Sequence, residues 1–378
     1  MTAAAAILLL VSVWLAVWSY LLYPPWIRRL ARRVPPVAVP PPPGTAPSVE
    51  VLVAAVDEER VIGARVEDLK AQAYGGPLAI AVGCDGCADG TAGAARRTLG
   101  GAGRVVEYPV RRGKAAVLDD LVASSTADVL VFTDANTRFD PDAVRRLAEV
   151  FADAAVGAAC GRLKLEAADG KPSPETAFWD WETATKQSEG RLGVCLGANG
   201  AIYAARRRAV VPLPPGTILD DLLIPARAAA DGASSVFVAE AIARETLPAR
   251  LRDEMSRRFR IGAGAGQVLR RERWLWNFRK RPLLALVFFS RKAARWLAPV
   301  AALLAAVAAL GSPALAAYGA GALAVAGALS LSALGSGAPG GRGRLYYFAV
   351  INLALSAGVL AGLLGYRRPA WKPVSRRT

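Results

Sequence analysis

Short apolar runs separated by helical stretches constrain the fold of this chain more than any other feature of its sequence. Four runs rich in β-branched and aliphatic residues follow one another: VEVLVAAV, LAIAVGC, RVVEY and DVLVFTD. Helical stretches such as EERVIGARVEDLKAQ and GKAAVLDDLVASS lie between them. Continuous apolar strands that alternate with helices are typical of a parallel sheet covered on both faces. We therefore predict an α/β fold with a mostly parallel sheet between Val49 and Glu245.

Apolar segments flank this soluble region on both sides. The run from Ala3 to Pro24 carries no charge and has the length that a bilayer-spanning helix needs. Arginines follow the run but do not precede it, so the positive-inside rule places the N-terminus outside and the next segment in the cytoplasm. Beyond Arg295 come three further candidate spans. Four spans would return the C-terminus to the outside, whereas the basic tail YRRPAWKPVSRRT favours the cytoplasm, and both topologies stay open.

These composition shifts predict six segments. They are a transmembrane helix with a basic flank (1–33), a proline-rich linker (34–48), a cytoplasmic domain (49–248), basic amphipathic interface helices (249–295), carboxy-terminal transmembrane helices (296–366) and a basic tail (367–378). The sequence thus predicts a multi-pass protein of a bacterial-type inner (plasma) membrane, with its soluble domain in the cytoplasm.

The positive charge of the chain is concentrated in one region. The formal net charge is +16. The stretch from Arg250 to Arg295 alone holds 14 Lys or Arg against 3 Asp or Glu. Trp274, Trp276 and Trp296 lie among these cations, and apolar sequence follows directly. Aromatic and cationic residues next to an apolar span favour a lipid headgroup partner, and we expect no nucleic-acid partner.

The chain has no histidine and four cysteines. Imidazole-based zinc sites and Ser-His-Asp or Cys-His nucleophile systems are therefore excluded, and a general base must be a carboxylate, Lys, Tyr or Cys. Cys84 and Cys87 form a CxxC, but Cys160 and Cys195 do not form a second one. The CxxC is either a metal or redox pair or a pair of small side chains that fill space, and the second interpretation is the default.

Acidic side chains follow three of the four predicted strands, at the point where each strand ends. They are Asp57, Glu58 and Glu59 after the first strand, Asp85 and Asp89 after the second, and Asp134, with the amide of Asn136, after the fourth. Ligands bind beyond the carboxyl ends of parallel strands. A single acid could merely cap the next helix. Three acidic strand ends in register favour a ligand site that includes a hard divalent cation.

The same motifs, taken in order, resemble the membrane-bound family 2 glycosyltransferases, the group of cellulose, chitin and hyaluronan synthases. AAVDEE resembles Ala-x-x-Asn-Glu-Glu, and DGCADGT resembles Asp-Gly-Ser-x-Asp-Gly-Thr with Cys87 at the serine position. RRGKAAVLDD resembles Arg-Gly-Lys-x-x-Ala-Leu-Asn, and FTDANT resembles Asp-x-Asp. The resemblance covers Val49 to Arg295 and implies a glycosyltransferase A-type, nucleotide-sugar-binding fold. It also implies that the CxxC is incidental to a nucleotide-binding turn.

The resemblance implies a set of donor-binding residues. They are Asp57, Glu59, Asp85, Lys114 and Asp134. It further implies that Asp134 and Asn136 hold a divalent cation, Mg²⁺ or Mn²⁺. An amide oxygen can ligate such an ion but brings no negative charge, so the affinity for the metal is expected to be weaker.

The later motifs imply residues for the acceptor and for catalysis. FWDWETATKQSEGRLG and CLGANGAIYAARR resemble acceptor-side segments, which implies acceptor contacts at Gly197, Asn199, Gly200 and Trp181. Packing in the core remains an equally good explanation for Trp179 and Trp181.

TILDD resembles the Thr-Glu-Asp region of the family, which implies Asp221 as the catalytic base with Asp220 beside it. Both acids could also simply lie in the first turn of a helix, where the dipole stabilises them.

Two motifs near the second apolar region are altered. RRFRIG resembles Gln-x-x-Arg-Trp, of which Arg260 is kept as a catalytic candidate, while Arg257, an acceptor-binding candidate, and Ile261 replace Gln and Trp. That motif accompanies polymer synthesis, so processive elongation is not implied. FFSRKAARWLAP resembles Ser-His-Lys-x-x-Arg-Trp-x-x-Pro, with Arg291 at the histidine position.

The resemblance predicts an inverting glycosyltransferase that moves a sugar from a nucleotide sugar, a UDP-sugar by expectation. The acceptor would be a lipid-linked glycan or a polysaccharide at the cytoplasmic membrane face. The alternative is a nucleotide-sugar-binding membrane module whose catalytic activity has decayed, which the replacements at Asn136, Arg257 and Ile261 favour.

Overall fold

A computed structural model of the chain describes residues 2–35, 46–166, 174–246, 251–309 and 341–366. Most of the predicted proline-rich linker, the second carboxy-terminal span and the basic tail lie outside the described residues. The strands are β1 (Val49–Ala55), β2 (Leu78–Asp85), β3 (Gly103–Tyr108), β4 (Val129–Asp134), β5 (Arg138–Phe139), β6 (Val156–Glu166), β7 (Tyr203–Arg206) and β8 (Ser234–Thr246).

Helices connect the strands and extend beyond the sheet at both ends of the sequence. They are α1 (Thr2–Val17), α2 (Tyr23–Ala31), α3 (Glu59–Lys70), α4 (Thr91–Leu99), α5 (Lys114–Ala123), α6 (Ala143–Glu149), α7 (Pro174–Arg191), α8 (Asp220–Ala230), α9 (Leu251–Arg271), α10 (Pro282–Val287), α11 (Ala294–Ala309) and α12 (Gly341–Leu363). Two π-helical segments, Trp18–Leu22 and Phe288–Ala293, join α1 to α2 and α10 to α11.

The eight strands form one sheet in the order β3-β2-β1-β4-β7-β6-β8-β5. Strands β3, β2, β1 and β4 are mutually parallel neighbours. Strand β7 runs antiparallel between β4 and β6, β6 and β8 are parallel, and the short β5 pairs antiparallel with β8. The predicted α/β class with a mostly parallel sheet is therefore confirmed.

The central strands are apolar on both faces because helices cover both faces of the sheet. In β1, Leu52 and Ala54 enter one hydrophobic core, and Val51 and Val53 enter the other. All four side chains are fully buried. A strand buried on both sides has no polar face, which explains why its sequence shows no alternation.

The amino-terminal helices pack against the segment that precedes and forms α11. Ser12 Oγ donates a hydrogen bond of 2.8 Å to the Ala298 carbonyl, and Trp18 Nε1 donates one of 2.9 Å to Ser290 Oγ. The second bond joins the two π-helical segments. Within the described residues one helix, Ala4–Ala31, is long and apolar enough to cross a membrane, with a mean hydropathy of 2.3, whereas the apolar helix Ala349–Leu363 is shorter.

Glycines let α9 and α12 approach each other closely. A Cβ atom on Gly262 would lie 2.2 Å from the Leu355 carbonyl oxygen, and one on Gly266 would lie 2.3 Å from the Val359 carbonyl oxygen. Gly358 and Gly362 of α12 face α9 in the same way. Both helices thus carry a Gly-x-x-x-Gly pair at the crossing, a packing mode typical of membrane helices.

A buried ion network ties the π-helical segment before α11 to α7 and α2. Arg291 donates to Glu182 at 2.7 Å and lies 2.9 Å from Glu189, and its side chain is completely buried. Tyr23 donates a hydrogen bond of 2.8 Å to Glu189. Arg295 also pairs with Glu182, at 2.7 Å. Helix α2 is therefore fixed to α7 by a hydrogen bond to a buried carboxylate as well as by apolar packing.

Candidate functional site

The acidic residues after β1 and β2 hold the two turns at the sheet rim together. Asp57 accepts a hydrogen bond of 2.8 Å from the Ala88 amide and pairs with Arg111. Glu59 accepts from the Gly90 amide at 3.2 Å. Asp57 has a positive φ of 50°, a backbone conformation that Asp and Asn adopt more readily than other residues with a side chain. The family's Asn and this chain's Asp are therefore both suited to the position.

Asp85 shapes the loop that precedes α5. Its two carboxylate oxygens accept hydrogen bonds from the amides of Arg112, at 2.6 Å, and Gly113, at 2.8 Å. Gly113 has a φ of 92°, which favours glycine, and Lys114 begins the helix directly after it. By holding this loop, Asp85 positions the first turn of α5 so that Lys114 lies next to the end of β4.

The thiols of the CxxC lie at the end of β2 and in the turn that follows it. Cys84 is buried on β2, and the Cys87 thiol donates a hydrogen bond of 3.5 Å to the Ala55 carbonyl. The neighbouring Cys84 thiol lowers the pKa of Cys87 to about 7. The ligand atoms of Cys87, Asp57 and Asp89 lie within 4.8 Å of one another. Both carboxylates are already engaged, Asp57 as described above and Asp89 by the Thr91 amide at 3.0 Å. This arrangement stabilises the turn without requiring a metal ion.

Lys114 connects the end of β4 to the start of α8. Its Nζ donates to Asp134 Oδ1 at 2.7 Å and lies 3.7 Å from Asp220 Oδ2. Burial lowers the pKa of Lys114, but the carboxylates of Asp134, Asp220 and Asp221 outweigh burial and raise it above its ordinary value. Tyr203 donates a hydrogen bond of 3.1 Å to Asp220. The carboxylate of Asp220 is thus held by two partners.

A glycine-containing turn between α7 and β7 brings Asp134 and Asp221 to one place. A Cβ atom on Gly200 would lie 3.8 Å from Asp134 Oδ2 and 3.8 Å from Asp221 Oδ2. The two carboxylates therefore face the same small space above Gly200, where a glycine leaves room. The Ala198 amide donates to the Asp221 carbonyl at 2.9 Å, which fixes the turn to the first residues of α8.

Asp221 differs from its neighbour Asp220 in its partners and in its titration. Among the described residues, no hydrogen bond or ion pair engages the Asp221 carboxylate. Burial, followed by the charge of Asp220, raises the pKa of Asp221 to about 6, and the cations Lys292, Lys114 and Lys186 oppose that rise. A carboxylate with an unoccupied lone pair and a raised pKa can accept a proton near neutral pH.

The carboxylate and amide oxygens at the end of β4 suit a hard divalent cation. Asp134 keeps Oδ2 free of Lys114 and turned toward Gly200. The Asn136 amide nitrogen donates a hydrogen bond of 2.8 Å to Glu245, which leaves the amide oxygen of Asn136 as a possible ligand atom. Glu245, on β8, accepts this hydrogen bond, so a carboxylate lies next to the uncharged side chain of Asn136. These oxygen donors fit Mg²⁺ or Mn²⁺.

The structure places some of the remaining acceptor-side candidates next to Asp221 and others in different surroundings. Asn199 is buried, and its side chain accepts from Lys186 at 2.5 Å and donates to the Gly161 carbonyl at 2.9 Å. Gly197 has a φ of 70°. Gly197, Asn199 and Gly200 thus form the turn next to Asp221.

Trp181, Arg257 and Arg260 have other surroundings. The ring of Trp181 stacks on Tyr20 with centroids 6.0 Å apart, and Arg295 lies 5.1 Å from its centroid. Arg257 pairs with Glu254 at 3.4 Å, and Arg260 is exposed on α9. The structure supports packing for Trp181, and the Trp179 side chain lies outside the described residues.

Four residues at or near this site were not singled out from the sequence: Tyr203, Lys186, Lys292 and Glu245. Tyr203 and Glu245 lie on strands β7 and β8, which no apolar run had indicated. Lys186 and Lys292 appear in sequence as ordinary lysines of helical segments. Three of the four do fall within motifs quoted above, and those motifs are the signal that could have found them: Lys186 in FWDWETATKQSEGRLG, Tyr203 in CLGANGAIYAARR and Lys292 in FFSRKAARWLAP.

Three of the similarities to known proteins describe this chain. Residues 46–264 match the family model described as "Glycosyltransferase like family 2", which is more than half of the chain. The chain is 29% identical over 195 residues to an N-acetylglucosaminyltransferase of Mesorhizobium japonicum, a match that spans 49% of this chain and 45% of that protein. The chain thus spans less than half the length of this relative.

The third similarity is to a solved structure. The fold is similar to that of a mannosyltransferase from Pyrobaculum calidifontis, PcManGT, in complex with GDP-Man and Mn²⁺. The TM-score is 0.69 and the identity 22%, and the match covers 94% of this chain and 99% of that one. At this identity the likeness concerns the fold.

Proposed function

We propose, since the chain belongs to glycosyltransferase-like family 2, that it moves a sugar from a UDP-sugar to a lipid-linked glycan or a polysaccharide, with inversion at the anomeric carbon. Family membership supports sugar transfer from a nucleotide-sugar donor, and that activity is the first part of the proposal. The choice of UDP, the class of acceptor and the residues named below are our proposal.

The donor would lie along the rim formed by the ends of β1, β2 and β4. Asp57, Glu59 and Asp85 shape the two turns there, and Lys114 presents a buried cation at the end of β4. A buried ammonium group suits the diphosphate of a nucleotide sugar. The same ammonium group would stabilise the negative charge that grows on the departing UDP.

A divalent cation would be held by Asp134 and Asn136. A metal-binding role is supported by the free Oδ2 of Asp134, and the Pyrobaculum mannosyltransferase was solved with Mn²⁺. When bound, such an ion neutralises charge on the leaving diphosphate. Glu245, hydrogen-bonded to Asn136, would add the carboxylate that the motif lacks.

The single observation that carries the proposal is the convergence of Asp134 and Asp221 above Gly200. One carboxylate lies on the donor side and is held by Lys114, and the other is free to accept a proton. An acceptor hydroxyl between them would lose its proton to Asp221 as its oxygen attacks the anomeric carbon and the bond to UDP breaks. Attack from the side opposite the leaving group inverts the configuration.

The acceptor is proposed to come from the membrane side. Helices α1 and α11 pack together and expose large apolar side chains, including Leu10 at 69% and Val307 at 56% exposure. We propose that these helices are embedded in a bilayer, that the basic segment 249–295 lies at its surface, and that the sheet domain faces the cytoplasm. Such a placement suits an acceptor that is itself attached to lipid or extruded along it.

The proposal is tested by incubating the full-length protein in lipid with a panel of UDP- and GDP-sugars, with and without Mn²⁺. We expect release of free UDP from one or a few UDP-sugars, dependence on the metal, and a product one or more sugars heavier than the acceptor by mass spectrometry. Release of GDP alone would refute the choice of UDP. Tight donor binding without release of any nucleoside diphosphate would favour the module that binds but does not transfer.

A further inference from the structure

Lys292 occupies a position at the candidate site that the proposed mechanism does not use. It lies on the π-helical segment Phe288–Ala293, and a Cβ atom on Gly197 would lie 2.5 Å from its Nζ. The ammonium group therefore rests against the backbone of the turn that separates Asp221 from α7. π-Helical segments are rare and occur often at functional sites.

Three lysines influence the Asp221 carboxylate, and two of them have polar partners of their own. Lys114 pairs with Asp134 and Asp220, and Lys186 donates to Asn199. For Lys292, the described part of the chain provides no hydrogen bond and no ion pair. The carboxylates whose charges act on it are Glu182 and Asp221, and of the three lysines Lys292 most strongly favours the ionised form of Asp221.

We propose that Lys292 is a positioning residue for Asp221: from its place against the Gly197 turn, its ammonium group keeps the Asp221 carboxylate ionised and turned toward the acceptor. The inference rests on the proposed function, because it assumes that Asp221 is the general base. The other charged groups that face Asp221 are Asp220, which opposes ionisation, and Lys114 and Lys186, which favour it. Asp134 lies across Gly200.

The charge states of the two groups are compatible with this role. Burial, together with the charges of Arg291 and Lys186, lowers the pKa of Lys292 to about 8, and the carboxylates of Glu182 and Asp221 oppose that lowering. The pKa of Asp221 is raised to about 6. Between these two values the carboxylate and the ammonium group are both charged, so their attraction operates across the neutral pH range.

The test compares the pH dependence of kcat/KM for sugar transfer in the wild type and in four variants. Lys292→Met and Lys292→Gln remove the charge, Lys292→Arg keeps it, and Lys280→Met removes an exposed lysine of the same basic region. We expect the acid-side midpoint to move up by about 1 pH unit in the two neutral variants, as for the loss of a close opposite charge. Lys292→Arg and Lys280→Met should retain the wild-type midpoint.

Two further readouts separate this role from a structural one. UDP affinity and the melting temperature of the Lys292 variants should stay near those of the wild type. An unmoved midpoint in both neutral variants would overturn the inference, and so would an equal shift in Lys292→Arg, which would point to packing. The Asp221→Asn variant separates a failure of the proposed function from a failure of this inference. If Asp221→Asn still transfers sugar, Asp221 is not the base. If it is inactive but the midpoint of the neutral Lys292 variants is unmoved, only the role of Lys292 fails.

Discussion

At the residue scale, two adjacent acids at the start of α8 have different surroundings. Asp220 is buried and held by Tyr203 and Lys114, whereas the Asp221 carboxylate has no such partner among the described residues. A carboxylate that is already paired stabilises structure, and one that is free can accept a proton. In the proposed function, this difference gives the two residues separate tasks although they are neighbours in sequence.

We expect Asp221→Asn to reduce turnover by about a hundredfold to ten-thousandfold, the range for loss of a general base. UDP affinity should be unchanged. Because the pKa of Asp221 is raised to about 6, its ionisation above that pH costs stability. The neutral Asn should therefore raise the free energy of unfolding at pH 7.5 by about 1–2 kcal/mol. Transfer assays, UDP titration and thermal unfolding check these outcomes.

Asp220→Asn is the matched control. It removes the charge that pairs with Lys114 and weakens the hydrogen bond from Tyr203, so we expect it to lower the melting temperature. A melting temperature that falls equally in both variants would contradict the separate tasks of the two acids.

The acid limb of the pH profile follows from the same residue. Asp221 must be ionised to accept a proton, so kcat/KM should fall as the pH drops below about 6, in line with its raised pKa. A steady-state profile between pH 5 and 8 checks this, and in Asp221→Asn the residual activity should lose that limb. A wild-type profile that is flat across this range would argue against Asp221 as the base.

Asn136→Asp tests the metal site. A second acid beside Glu245 would replace a hydrogen bond by like-charge repulsion, so without metal the variant should be less stable by about 1–2 kcal/mol. Bound Mn²⁺ would offset that repulsion, so the gain in melting temperature on adding Mn²⁺ should be larger in Asn136→Asp than in the wild type. Titration of Mn²⁺ followed by electron paramagnetic resonance gives the affinities. Equal gains in both proteins would place the metal elsewhere.

At the element scale, the glycine crossing of α9 and α12 sets how close two helices lie. A Cβ atom on Gly266 would lie 2.3 Å from a carbonyl oxygen of α12, so any side chain there must push the helices apart. On its other face, α9 contacts the residues that lead into α8: a Cβ atom on Gly264 would lie 2.6 Å from Leu219. Gln267 donates to the carbonyls of Gly216 and Tyr366, at 3.1 Å each.

We expect Gly266→Ala to lower the free energy of unfolding by about 1–3 kcal/mol, the usual cost of overpacking. Thermal unfolding in detergent or lipid measures it. Gly101→Ala is the control, because a Cβ atom at that position meets nothing within 4 Å. If both variants unfold at the same temperature, the crossing does not contribute to stability.

The elements also explain which parts of the fold the sequence could predict. Strands β1 to β4 are continuous apolar runs next to one another in the sheet, so pattern alone located them. Strand β7 has four residues, and β6 pairs with β8 across more than sixty intervening residues, so neither is specified by local sequence. Asp134 and Asp221 could be selected because family motifs contain them, whereas Glu245 lies in no such motif and reaches Asn136 only through long-range packing. Lys292 does lie in a motif, but only long-range packing places it against the Gly197 turn.

At the scale of the whole molecule, apolar surface and basic charge lie on neighbouring parts of the chain. Helix α1 exposes Ile7, Leu10 and Trp14, and α11, which packs on it, exposes Leu304 and Val307. Large exposed apolar patches on a folded protein mark contact with a partner or a membrane. The net charge of +16, gathered mainly before α11, would favour anionic lipid at that boundary.

We expect the full-length protein to sediment with membranes and to remain there after washing with high salt and with alkaline carbonate, because embedded helices resist both treatments. Detergent should release it. Release by salt alone would indicate attachment through surface charge, and release by carbonate would indicate a peripheral protein. Immunoblotting of the fractions checks the result.

Helix α9 touches α12 with one side and the residue before Asp220 with the other. Gly262 and Gly266 bring α9 into backbone contact with α12, and Gly264 lies against the side chains of Ile218 and Leu219, so the three parts have little room to move independently. If α12 tilts to match a thinner or thicker bilayer, α9 must follow, and the start of α8 with it. The thickness of the surrounding bilayer would then affect the rate of sugar transfer.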